Sequence, residues 1–127
     1  MYRVGKIDKE IYKCITTDRD VVTEEVVITD KQIKHIKERH LYDYKKVMPY
    51  ISETLEEPDY IISNKHKDTG LVIKSIMNKK KYLLIVLKIC SSKKRTGYKN
   101  SIIAFWTINE RRLQNYLKNR EILYKRE

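Results

Sequence analysis

LVIKSIM (71–77), YLLIVLKIC (82–90) and SIIAFWTI (101–108) are three apolar, β-branched runs, and their reading decides the fold. Asn78-Lys79-Lys80-Lys81 separates the first two, and the polar stretch from Ser91 to Asn100 separates the second from the third. Runs of this kind between polar connections predict three strands. The first connection is short enough for a hairpin, which favours antiparallel pairing over a parallel crossover. Each run is apolar on both faces, as in a strand packed between layers. Lys74, Lys88, Ser101 and Thr107 interrupt the runs, so they mark where chemistry can sit in the sheet.

Working outward, YRVGKI (2–7) and EIYKCIT (10–16) read as two short strands around Asp8-Lys9. VVTEEVVI (21–28) is β-prone but carries Glu24-Glu25, which predicts an edge strand or an extended connection. Thr29-Asp30 then supplies an N-cap for a helix through KQIKHIKERH. At about 100° per residue, Ile33, Ile36 and His40 share one face, while His35 and Arg39 fall opposite. His40 ends that helix on its core-facing side. A second helix runs from about Tyr44 to Glu57, with Pro49 in its early part as a possible start and Pro58 as its stop. Asp59 to Ile62 is a strand. Asn109 caps a last helix over 109–120, and ILYK (122–125) is a candidate final strand. The class is α+β, with helices segregated to one face of an antiparallel sheet.

A chain of 127 residues with 41% hydrophobic residues fits one domain, 1–127, with a real core. No apolar run reaches the roughly 20 residues that span a bilayer, and the charged N-terminus has no signal-peptide core. A cytoplasmic setting without membrane association is therefore expected, and Cys14 and Cys90 read as buried thiols rather than a disulfide. The net charge of +11 is one-sided. Residues 1–70 hold 13 Lys and Arg against 14 Asp and Glu, whereas residues 71–127 hold 15 against 3. A generally lysine-rich composition would raise both halves. The asymmetry instead points to a polyanion, and nucleic acid is the expected partner ahead of an acidic protein.

Phosphate-loop, paired-CxxC, HExxH and GxSxG motifs are absent, and the three histidines are dispersed, so no cofactor or metal is expected. What remains is equipment for metal-free RNA cleavage: a base for the 2′-OH, an acid for the 5′-oxygen, and groups that stabilise the phosphorane. His40 suits either proton transfer, because a histidine ordinarily titrates near pH 6.5. Lys74, Lys88, Arg95 and Lys99 can hold phosphate oxygens, and Ser101, Thr96, Thr107 and Tyr98 can donate neutral hydrogen bonds. Blander roles are open to each: a helix-terminal histidine, a snorkelling Lys88, a solvated Lys93-Lys94-Arg95 loop, and a core Trp106.

ITDKQIKHIKERH, EEPDYII, KSI, YLLIVLKI, GYKNSIIAFW and ILYKRE, with the opening GKIDKEIYKCITTD, together resemble the phage-associated barnase–EndoU–colicin–RelE-like nuclease domains. The resemblance spans nearly the whole chain. It implies N-terminal helices packed on one face of a four- or five-stranded antiparallel sheet, a late helix, and metal-independent RNA cleavage at the sheet's open face. The family's HIxxRH pattern matches His35 and His40, and its late motif matches Tyr98, Lys99, Asn100 and Ser101. Leu41 stands where a proline is expected after the second histidine, so the exit from the helix is expected to differ. The resulting expectation is an endoribonuclease of a bacterial cytoplasm, phage-encoded or toxin-like. His40, Lys88, Lys74, Ser101 and Tyr98 form its catalytic set, and Lys93, Lys94, Arg95, Thr96, Lys99 and Arg39 bind the RNA backbone. A cognate inhibitor or immunity protein is a possible further partner. A catalytically inactive nucleic-acid-binding module and a phage inhibitor of a host protein are the alternatives.

Overall fold

A computed structural model describes residues 2–16, 20–76, 81–90 and 99–127. Seven strands and four helices follow in the order β1 (Tyr2–Lys6), α1 (Lys9–Tyr12), β2 (Glu25–Ile28), α2 (Asp30–Val47), α3 (Ile51–Glu56), β3 (Tyr60–Ser63), β4 (Thr69–Ile76), β5 (Lys81–Lys88), β6 (Asn100–Asn109), α4 (Glu110–Asn119) and β7 (Ile122–Lys125). Short 3-10 turns occupy Lys13–Ile15 and Met48–Tyr50. Most of both lysine-rich connections lies outside the described residues, and with them Lys93, Lys94, Arg95, Thr96 and Tyr98.

The strands form one sheet in the order β1-β2-β6-β5-β4-β3-β7. The three apolar runs make its centre as antiparallel neighbours, β4 with β5 and β5 with β6. The sheet is larger than four or five strands, because four short strands extend it: β1 and β2 beyond β6, β3 and β7 beyond β4. It is also mixed, since β2 runs parallel to β6 at Val26–Asn100 and Val27–Ser101. Glu24-Glu25 hid this placement. β2 is no edge strand: it lies between β1 and β6, and Lys99 pairs with Glu25 at 2.5 Å.

The helices lie on both faces rather than one, and strand alternation shows it. Ile61, Val72, Leu83, Ile85, Ile102 and Phe105 meet Ile36, Val47, Ile51 and Leu55 of α2 and α3 in the main core. Ile62, Leu71, Ile73, Leu84 and Ile108 face the other way, onto Leu113, Tyr116 and Leu117 of α4. Asn109 caps α4 as its position predicts, its side-chain oxygen accepting from the Arg112 N–H at 2.9 Å.

EIYKCIT is α1 and a 3-10 turn, not a strand. Asp8 caps it by accepting from the Glu10 N–H at 2.9 Å. Tyr12, fully buried, donates its hydroxyl to the Leu55 carbonyl at 2.7 Å, tying this turn to α3. Thr29 caps α2 through the Gln32 N–H. α2 does not end at His40: with leucine rather than proline at position 41, the helix bends at His40 (φ −142°, ψ 47°) and continues to Val47.

Candidate active site and nucleic-acid interface

The bend in α2 sits beside the free edge of β6. β2 pairs with β6 only at Asn100 and Ser101, so from Ile102 onward no described strand occupies that edge. α2 covers it with two rings: His40 stacks on Trp106 with centroids 5.9 Å apart, and Tyr44 stacks on Phe105 at 6.0 Å. His40 is half-buried, so its ring is fixed by packing yet remains reachable from solvent. Lys37, one turn before His40, places its ammonium 4.9 Å from the centre of the Tyr44 ring, one turn after it. A cation thus lies along the turn that carries the histidine. The signal for Lys37 was present in the sequence, since spacings of three and four residues bring side chains together on adjacent helical turns.

A second cluster forms at the other end of β6. Ser101 stands opposite Lys88 on β5 and beside Val27 on β2. Lys88 in turn faces Thr69 on β4, and Val27 faces Arg3 on β1. Residues paired across strands share a face, so Arg3, Val27, Ser101, Lys88 and Thr69 form one row across five strands. Arg3 and Lys88 are exposed. Lys99 adjoins the row, and its hydrogen bond to Glu25 holds that carboxyl below its usual range. The described chain leaves this end of the sheet at Cys90 and returns at Lys99.

These two clusters stay apart. Trp106 lies opposite Leu84 and Ser101 opposite Lys88, four β5 residues away, or about 13 Å. A single phosphate does not span that gap. Lys74 joins neither cluster. It is 7% exposed and points into the main core, where Nζ donates to the Glu57 carbonyl oxygen at 2.6 Å, at the C-terminal end of α3. His35 and Arg39 are exposed on α2, and His66 is exposed in the turn before β4.

Asn100 is a residue that strand-pattern reasoning passed over. It is fully buried, accepts from the Cys90 N–H and donates to the Thr23 carbonyl, both at 2.8 Å. It therefore pins both ends of the segment between β5 and β6. Cys14 and Cys90 are free thiols, each half-buried, and burial pushes the Cys14 thiol up to about 11. Among the described residues, no three His, Cys, Asp or Glu side chains gather as a metal site, and no helix is long and apolar enough to cross a membrane.

A layered α+β domain with a histidine at an open strand edge and a cationic row on its sheet has the parts of a phosphodiester-cleaving protein. The chain belongs to the family described as phage-Barnase-EndoU-ColicinE5/D-RelE like nuclease 2, whose sequence model matches residues 2–125. It is a nuclease domain of the barnase/EndoU type. No curated protein and no solved structure matches it.

Proposed function

We propose that this nuclease is a metal-independent endoribonuclease that leaves 2′,3′-cyclic phosphate and 5′-OH ends. The observation that carries the reading is the His40 turn: a half-buried imidazole braced on Trp106, on a helix whose Lys37 ammonium lies over the neighbouring Tyr44 ring. In RNA the nucleophile is already in place, because the ribose holds its 2′-OH next to the phosphorus. The 2′-oxygen bonds to phosphorus, the bond to the 5′-oxygen breaks, the 2′-proton leaves to a base, and the 5′-oxygen gains a proton from an acid. His40 performs one of these transfers. Lys37 offsets the charge that builds on the phosphorane. No metal-activated water is required by this route.

Lys88 and Ser101, being about 13 Å from Trp106 along the sheet, hold the flanking backbone rather than the scissile phosphate. Lys99, Arg39 and the segment with Lys93, Lys94, Arg95, Thr96 and Tyr98 extend that grip. The substrate is RNA in a bacterial host's cytoplasm, and a toxin-like activity there calls for a cognate inhibitor. The same separation favours one rival, a module that grips RNA without cutting it. Incubation with RNA in EDTA decides between them. Cleavage that His40→Ala abolishes supports the enzyme, and salt-dependent binding without cleavage selects the rival.

A further inference from the structure

The outward face of α4 carries cations that neither cluster uses. At 100° per residue, Arg111, Arg112, Asn115, Lys118 and Asn119 fall on one side of the helix, opposite Leu113 and Leu117. All five are exposed, and the stripe runs about 12 Å along the axis. Other charged groups around it are engaged. Glu110, the one carboxylate on α4, accepts from the Tyr82 hydroxyl at 2.5 Å and from Gln114 at 2.9 Å. Arg126 pairs with Asp59 at 3.7 Å. Arg120 lies over the Tyr116 ring at 5.5 Å and donates to Asn64 at 3.3 Å. Arg111, Arg112 and Lys118 have no ion-pair partner among the described residues, so like charges line up unneutralised. Beside them Arg112, Asn115, Tyr116, Asn119 and Arg120 line a shallow groove of about 340 Å³. α4 starts where β6 ends, at Asn109, and crosses the smaller core on Leu113, Tyr116 and Leu117 to reach β3, where Arg120 meets Asn64.

We infer that this face is a second binding surface for single-stranded RNA, holding the strand beyond the cut. Three unneutralised cations interspersed with two amides match a backbone that repeats one negative charge, and Glu110, held by Tyr82 and Gln114, leaves no carboxylate on the stripe to repel it. The phosphates take Arg111, Arg112 and Lys118, and the amides of Asn115 and Asn119 take sugar or phosphate oxygens. This rests on the endoribonuclease reading for its substrate, but its test does not need cleavage.

The test uses the full chain and an RNA with 2′-deoxy at the cut position. The triple variant Arg111→Gln, Arg112→Gln, Lys118→Gln alters only exposed positions and keeps residues that favour helix. Its slope of log affinity against log salt should fall by about two units, since each single-strand phosphate contact contributes about 0.7. On cleavable RNA its KM should rise several-fold for long substrates, with kcat unchanged and short oligonucleotides unaffected. An unchanged slope with a native circular-dichroism spectrum overturns the inference. A lowered slope together with a fully active His40→Ala variant keeps it while removing the catalytic reading.

Discussion

The Lys74 ammonium, buried inside β4, donates at 2.6 Å to the carbonyl oxygen of Glu57 where α3 ends. That carbonyl belongs to a helix terminus with no intrahelical donor, and the positive charge complements the negative end of the helix. Lys74→Met should therefore cost stability of about 1–3 kcal/mol, the usual penalty for stranding a buried hydrogen-bonding group. Urea denaturation reads that loss. Activity per folded molecule should be retained. A variant of normal stability that has lost activity would put Lys74 in the catalytic centre instead.

The Tyr82–Glu110 contact gives stability a dependence at both ends of the pH scale. The hydrogen bond from Tyr82 lowers the Glu110 pKa, and the same bond pushes Tyr82 up to about 12. A lowered carboxylate contributes stability that is present above its ordinary range and lost as pH falls through its folded value. A raised phenol contributes stability that is complete below its ordinary 10.0 and lost as pH rises towards about 12. Thermal unfolding of Tyr82→Phe across pH should show both slopes flattened relative to the wild-type protein.

His35 and His40 are both in the HIxxRH stretch, yet only His40 touches the sheet edge. His40→Ala should lower kcat by 100-fold or more, within the usual contribution of a general acid or base. His35→Ala should change kcat less than threefold, because the side chain is exposed on the far side of α2. The reverse order in a cleavage assay would show that the chemistry runs on the outer face of the helix.

Lys88 should behave as a grip. Lys88→Gln is expected to raise KM and lower the salt slope by about 0.7 while leaving kcat near its wild-type value. Replacing Lys93, Lys94 and Arg95 with alanine should lower that slope further, by about 0.7 per lost phosphate contact on a single strand. A kcat loss as large as that of His40→Ala would bring Lys88 to the scissile phosphate.

The central strands and their antiparallel order were legible because β-branched runs with short polar connections have few alternative readings. The caps at Thr29 and Asn109 were legible for the same local reason. What escaped were features set by distant partners. EIYKCIT looks strand-like in composition, but the Asp8 cap and the burial of Tyr12 against Leu55 make it helical. Glu25 looks like an edge residue until Lys99, far along the chain, is placed beside it. The site divided in the same way. His40 and its inward face followed from helical periodicity. The distance from His40 to Lys88 depends on sheet register, and the burial of Lys74 depends on where α3 stops, neither of which a local pattern encodes.

The most direct measurement is end-group analysis of products from a matched pair of RNAs, incubated with excess EDTA, one of them carrying 2′-deoxy at the cut position. The normal substrate should yield 2′,3′-cyclic phosphate and 5′-OH ends, and the deoxy substrate should bind and stay intact. Cleavage of the deoxy substrate, or cleavage that appears only when magnesium is restored, would contradict attack by the 2′-OH under His40.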